Sequence, residues 1–305
     1  MISYFQAVVI GLLQGVTELF PVSSLGHSVL LPALLGWGRI LADQSAGESP
    51  YLAFLVGLHV ATALALLVCL RAEWARIGRG LWSSARNRRI DGPDERLAWL
   101  LVVASIPAGL FGLVFEHRLR VLFARPLTAA AFLTINGLLL LAGEGLRRRA
   151  ERRVPAMAAA GAGRPGQPGA PAAPEAEVER LGRLPLGDAV LIGSAQILAF
   201  FAGISRSGVT MVAGLARGLH PEDAARFAFL LATPIILAAG LYKLPDLLGP
   251  NGDGVRGQVL VGSAVAAVAA YAAARFLTRW FTTRTLVPFA VYCLLAGVAC
   301  LVRFA

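Results

Sequence analysis

The sequence predicts an all-α polytopic membrane protein arranged as an inverted-topology repeat, with six transmembrane helices and two re-entrant helix-loop-helix pairs. Three observations predict it. Of 305 residues, 57% are hydrophobic and 15% charged, with mean hydropathy +0.68, whereas a soluble domain carries about 25% charge. The chain holds six apolar runs long enough to cross the hydrocarbon core as helices, which takes about 20 residues. Finally, two stretches combine apolar runs with costly polar groups: QGVTELFPVSSLGHS from Gln14, and QILAFFAGISRSGVT from Gln196. Sliding the chain by 182 residues lays Gln14 on Gln196, Ser23 on Ser205, Gly26 on Gly208 and Ser28 on Thr210. Self-similarity at a fixed offset marks an internal repeat.

Taken in order, residues 2–36 form the first re-entrant pair, because Pro21 and Gly26 break an apolar segment that is too polar to span. Broken backbone survives at membrane depth only where it is buried in protein or lines a wet cavity. A polar link through Asp43 and Glu48 leads to spans at about 51–70, 97–115 and 127–146, separated by a basic loop at 71–96 and the short link EHRLRVLFARP. The first half is residues 1–146. Residues 147–185 open with RRRAERR and become rich in Ala, Pro and Gly, so they read as a disordered cytoplasmic linker with nothing large to bury. Residues 186–305 form the second half: a re-entrant pair over about 186–219, then spans at about 224–241, 258–276 and 286–302. An odd number of crossings per half requires the copies to enter from opposite faces, with a site where the broken helices meet.

The net charge of +10 would suggest nucleic acid in a soluble chain. Here the cations flank apolar spans, which indicates topology and contact with membrane lipids. Twenty of the 28 basic residues fall in the segments 71–96, 147–185, 216–226 and 275–285, so these are expected in the cytoplasm and both termini outside. No cation precedes the first apolar run and the first charged side chain is Glu18, so no signal peptide is expected and the amino-terminal segment is expected to be retained. Cys69, Cys293 and Cys300 lie in apolar runs and read as small hydrophobes.

The chemistry lies in the two polar stretches. An ionisable group at membrane depth is functional by default. On a helix, Gln14 and Glu18 stand at i and i+4 and face one way, so Glu18 can bind a divalent cation or act as a base. Ser23 and Ser24 follow Pro21, and His27 lies three residues beyond Ser24, a spacing that allows imidazole to activate a hydroxyl. Serines near a helix start can equally be caps. In the second stretch Arg206 sits between Ser205 and Ser207, with Gly208 and Thr210 beyond. A planar guanidinium beside hydroxyls and helix-start amides is a phosphate cradle. Together the stretches point to phosphoryl transfer or hydrolysis at a lipid-accessible site. Asn136, in the third span, is expected to bond across helices, and His59 either faces the cavity or bonds locally.

QGVTELFPVSSLGH together with GISRSGVT resembles the two signatures of the undecaprenyl-diphosphate phosphatase family, bacterial enzymes associated with bacitracin resistance. The resemblance covers nearly the whole chain outside about 150–182. It implies hydrolysis of undecaprenyl diphosphate to the monophosphate and inorganic phosphate at the outer face of the cytoplasmic membrane, recycling the lipid carrier of cell-wall peptidoglycan synthesis. It further implies dependence on a divalent cation, Mg or Ca, with Glu18 as its ligand or as the residue that orients His27. By position it makes Ser24, His27, Glu18 and Arg206 the catalytic set, with Ser24 as nucleophile and His27 as its base; attack by His27 itself or by water stays open. Gln14, Ser23, Ser205, Ser207, Gly208 and Thr210 become the substrate-binding set. Two residues depart from the family pattern: Gln14 stands where many relatives have Glu, and Ala202 where a Pro is common.

Three alternatives compete. The type-2 phosphatidic acid phosphatases need a His six residues after the Arg of Ser-Arg, but Val212 stands there. A polyprenyl-phosphate flippase would suit the inverted repeat, yet Ser24, His27 and Arg206 are more reactive machinery than binding requires. A purely structural scaffold does not account for so many polar groups at depth. The sequence leaves the oligomeric state open, a homodimer included.

Overall fold

The computed structural model describes residues 2–38, 40, 50–123, 125–159, 174–249 and 252–305. Among them the secondary structure is helical throughout, with no strand. The first short helix, α1 (Tyr4–Thr17), starts at a reciprocal cap: Ser3 Oγ accepts from the Gln6 amide, and the Gln6 side chain accepts from the Ser3 amide. That arrangement satisfies two otherwise orphaned donors. It is followed by α2 (Ser24–Leu34), α3 (Pro50–Cys69), α4 (Arg71–Asn87), α5 (Pro93–Phe123) and α6 (Pro126–Ala159). The remaining elements are α7 (Pro174–Gly182), α8 (Leu186–Ser194), a 3₁₀ turn (Ala195–Phe200), α9 (Arg206–Ala216), α10 (Pro221–Leu248), α11 (Arg256–Trp280) and α12 (Val287–Phe304).

Among the described residues six helices are long and apolar enough to cross a membrane: Pro50–Cys69, Pro93–Phe115, Pro126–Arg149, Pro221–Pro245, Arg256–Trp280 and Val287–Phe304. These are the six spans expected from the apolar runs. The helices at Tyr4–Thr17, Ser24–Leu34 and Leu186–Phe200 are apolar but shorter. Small residues let them approach the spans closely. Gly11 and Gly15 of α1 lie against Gly262 and Ala266 of α11, and Gly193 of α8 lies against Ala104 of α5.

Three expectations about the connections are corrected. The basic stretch 71–96 is a helix over most of its length: Glu73, Ile77, Gly80 and Ser84 are buried on one face of α4, with Trp74 and Leu81 packed beside them. A stripe at this spacing buries one face and solvates the other, so the seven arginines of the stretch hid a surface helix. It is fastened by Arg76, which donates to both oxygens of Asp94 at 3.1 and 2.9 Å. The link EHRLRVLFARP is not a break after residue 115, since α5 runs to Phe123. Nor is 147–185 structureless: α6 continues to Ala159, and α7 ends in a buried cluster of Val178, Leu181 and Leu184. Arg180 anchors that helix to Asp223 through bonds of 3.0 and 2.8 Å. The Ala/Pro/Gly-rich residues 160–173 and the link through Asp43 and Glu48 lie outside the described residues.

Candidate active site

Two helix starts face each other in the interior. Ser23, at φ 72°, ends the turn after α1 and caps α2, its Oγ accepting from the Gly26 amide at 3.1 Å. Ser205 caps α9 in the same way, accepting from Gly208 at 3.1 Å. The 182-residue register thus pairs cap with cap and glycine with glycine. Helix N-termini carry unsatisfied amides and partial positive charge, and so favour anions.

Two buried polar groups hold these starts together. Ser23 Oγ also accepts from the Gly203 amide at 3.1 Å. Gly203 has φ 113°, and a Cβ on Gly26 would stand 2.8 Å from the Gly203 Cα, so both positions require glycine. Asn136, 0% exposed on α6, donates to the Pro21 carbonyl at 2.9 Å and accepts from the Ser205 amide at 2.9 Å. It bonds across elements, as expected, and the groups it joins are the two polar stretches. Ser23 and Ser205 therefore use their hydroxyls as caps and ties. Thr210 spends its own on the Arg206 and Ser207 carbonyls of its helix, at 2.7 and 3.1 Å.

Glu18 is the hub. It is 7% exposed, and its Oε2 accepts from Gln14 Nε2 at 2.9 Å and from Ser24 Oγ at 2.5 Å. His59 Nε2 lies 3.6 Å from the same oxygen, and Arg206 Nη2 lies 3.8 Å from Oε1. Arg206 Nη1 is buried with no hydrogen-bond partner among the described residues. A buried guanidinium N–H left over is an open invitation to an oxyanion. Ser207 Oγ lies 3.1 Å from Ser205 Oγ, beside this guanidinium in the chain.

Ser24 and His27 are not paired. Within the helix, His27 Nδ1 lies 2.7 Å from the Ser23 carbonyl, and Nε2 lies 2.7 Å from the Tyr292 hydroxyl. Since a carbonyl only accepts, Nδ1 carries the hydrogen and Tyr292 donates to Nε2. The hydrogen-bond partner of Ser24 is Glu18. Tyr292 carries no signal in the sequence: it sits in an apolar span 265 residues away, and only packing reveals it. His59 combines both expected behaviours, with Nδ1 on the Leu55 carbonyl at 2.8 Å and Nε2 toward Glu18.

An apolar groove of about 590 Å³ leads to this corner, lined by Val9, Leu12, Val16, Phe20, Leu31 and Tyr292 among others. Its walls are α1, α2 and α12. A polar centre at the end of an apolar groove suits a ligand with a charged head and a hydrocarbon chain.

Among the described residues no group of three His, Cys, Asp or Glu side chains could enclose a metal ion. One buried carboxylate still fits a hard cation that takes its other oxygens from phosphate, the usual manner of Mg²⁺. Glu18 would be its protein ligand, with the neutral Gln14 beside it.

Against this geometry, the chain matches the family "Bacitracin resistance protein BacA" over residues 7–299. It belongs to the BacA family. Among its relatives, "Undecaprenyl-diphosphatase" of Mycolicibacterium paratuberculosis is 59% identical, the match covering 100% of this chain and 98% of the relative. "Undecaprenyl-diphosphatase 2" of Frankia alni is 55% identical, with the same coverages. A further "Undecaprenyl-diphosphatase 2", from Chromobacterium violaceum, is 41% identical over 96% of each chain. The match takes in both polar stretches and five of the six apolar helices whole, and ends within the sixth.

Proposed function

We propose that this chain is an integral membrane undecaprenyl-diphosphatase, which hydrolyses undecaprenyl diphosphate to undecaprenyl phosphate and inorganic phosphate. The observation that carries the mechanism is the 2.5 Å bond from Ser24 Oγ to Glu18 Oε2, beside Arg206. The relatives' names are those of hydrolases, which favours hydrolysis over the transport alternative.

In this reading the apolar groove seats the polyprenyl chain and the diphosphate lies between the two helix starts. Ser24 Oγ attacks the terminal phosphorus and its proton passes to Glu18. The bridging P–O bond breaks, polyprenyl phosphate leaves, and the phosphate stays on Ser24. Water then attacks that phosphorus, releasing inorganic phosphate and regenerating the hydroxyl. Arg206 Nη1 and the start of α9 stabilise charge on the transferring group, a type of contact that contributes about 3–4 kcal/mol to catalysis. His27 Nε2, which Tyr292 positions, takes a proton from the attacking water, and Glu18 returns to Ser24 Oγ the proton it received as that oxygen leaves phosphorus. The base for Ser24 is thus Glu18 and not the imidazole expected from spacing. A divalent cation held by Glu18 and the diphosphate would neutralise part of the phosphate charge.

We further read the short helices α1 and α2, and α8 and α9 with the 3₁₀ turn between them, as re-entrant pairs in two inverted halves, 1–146 and 186–305. The matching caps at Ser23 and Ser205 support this. The distribution of cations supports termini outside, and the family resemblance implies a bacterial cytoplasmic membrane with the site reached from the outer face.

The test is phosphate release from undecaprenyl diphosphate by the purified protein in detergent. Release should stop with a chelator, return with Mg²⁺ or Ca²⁺, and fall by at least about 10³-fold in Ser24→Ala. Full activity in Ser24→Ala would exclude the serine as nucleophile.

A further inference from the structure

A second cavity, of about 460 Å³, lies at the end of the molecule where α3 runs into α4, α10 begins and α11 ends. It lies away from the reaction centre: Cys69, on its wall, is about 15 Å from His59 along the axis of α3. Four arginines line it, Arg180, Arg226, Arg275 and Arg279, against two carboxylates, Glu73 and Glu222. The carboxylates are already committed. Glu73 pairs with Arg226 at 2.7 Å, and Glu222 pairs with Arg180 at 3.2 Å, where Asp223 adds a second contact at 2.8 Å.

Arg275 and Arg279 are left, and neither meets a carboxylate among the described residues. They stand one helical turn apart on α11, both on the cavity wall. Both are exposed, so the like charges at i and i+4 repel only weakly, and an anion between them would relieve that repulsion. Guanidinium groups on a concave wall between membrane helices are suited to a phosphate group. The segments meeting here are also the basic ones, 71–96, 216–226 and 275–285, so the cavity faces the leaflet that those cations mark as cytoplasmic.

We propose that this cavity is a second anion site, distinct from the reaction centre, that takes a phosphate-bearing ligand on Arg275 and Arg279. Two sources share that chemistry: the headgroup of an anionic phospholipid in the adjoining leaflet, and free inorganic phosphate. The bland alternative is that the arginines only set topology, in which case they have no specific ligand.

The experiment is thermal unfolding of the full-length, delipidated protein in neutral detergent, with phosphatidylglycerol, phosphatidylcholine or inorganic phosphate added in turn. For a bound headgroup, phosphatidylglycerol at a hundredfold excess over Kd raises Tm by about 5 °C, and phosphatidylcholine does not. The rise disappears in Arg275→Gln/Arg279→Gln and survives in Arg86→Gln/Arg89→Gln, which changes exposed arginines of α4 and the turn after it, outside the cavity wall. A rise with inorganic phosphate, lost in the same double variant, assigns the free anion instead; phosphate held at the reaction centre would not respond to these substitutions. Should the double variant not fold, either single variant serves, with about half the rise. No rise with either phosphate source overturns the proposal, as does a rise that survives in Arg275→Gln/Arg279→Gln.

Discussion

At the scale of single residues, the site depends on groups whose hydrogen bonds have no replacement. Ser24 donates a hydrogen bond to a carboxylate that is buried and already surrounded by an amide, an imidazole and a guanidinium. Such a carboxylate is held ionised, and its charge-assisted bond fixes the direction of the Ser24 hydroxyl. Asn136 works by another route, tying the Pro21 carbonyl to the Ser205 amide. Asn136→Ala would leave the Ser205 amide unsatisfied and the Pro21 carbonyl with only the weak Cys293 thiol at 3.9 Å, at about 1–3 kcal/mol for a buried group left without its partner. We predict a clear fall in Tm of the purified protein and a loss of activity through a displaced Arg206; an unchanged Tm would mean that water replaces the amide. Much of this was legible in the sequence, because a charge or hydroxyl in an apolar run is expensive and so conspicuous: Glu18, Ser24, His27 and Arg206 could be singled out. The partner of Ser24 could not. It depends on the turn at residues 18–23 and the positive φ of Ser23, which decide whether a hydroxyl points back to Glu18 or along the helix to His27.

At the scale of elements, each half of the site is a helix start aimed at the other, and the distance between the two is set by glycine. A methyl group on Gly26 would meet the Gly203 backbone, with Cα at 2.8 Å and N at 2.9 Å. Neither is the tip of a flexible side chain, so the starts must part. Gly26→Ala should lower phosphate release about 10²-fold, since misplacement by about 1 Å costs that much. Gly145→Ala, with open space around its Cβ, should leave the rate unchanged and serves as control. If Gly26→Ala is fully active, the close approach of the two starts is not what positions the chemistry. The six spans were readable because an apolar run of membrane length has few places to go except across a bilayer. Helix α4 was not, because a one-sided buried stripe among the seven arginines of 71–96 looks like a loop until its spacing is matched to a neighbour. The last turns of the supposed linker were hidden by the same ambiguity: Val178, Leu181 and Leu184 are three apolar residues whose role appears only when α5 lies beneath α7.

At the scale of the whole molecule, neither polar stretch suffices. In the proposed mechanism the first supplies the nucleophile and carboxylate, the second the guanidinium and an anion-binding helix start, and the apolar groove brings a long-chain substrate to their junction. The similarity of the stretches in sequence announced that they belong together, and the ties through Ser23 and Asn136 say how. The most direct measurement is a double-mutant cycle on kcat/KM for undecaprenyl diphosphate, with Glu18→Gln, Arg206→Gln and the combined variant. Each single change should cost about 10²–10³-fold. The pair should cost far less than the product of the two, because residues acting as a unit on one phosphate are not additive. Losses that simply multiply, or either single variant within about threefold of the wild type, would contradict a site built from both stretches.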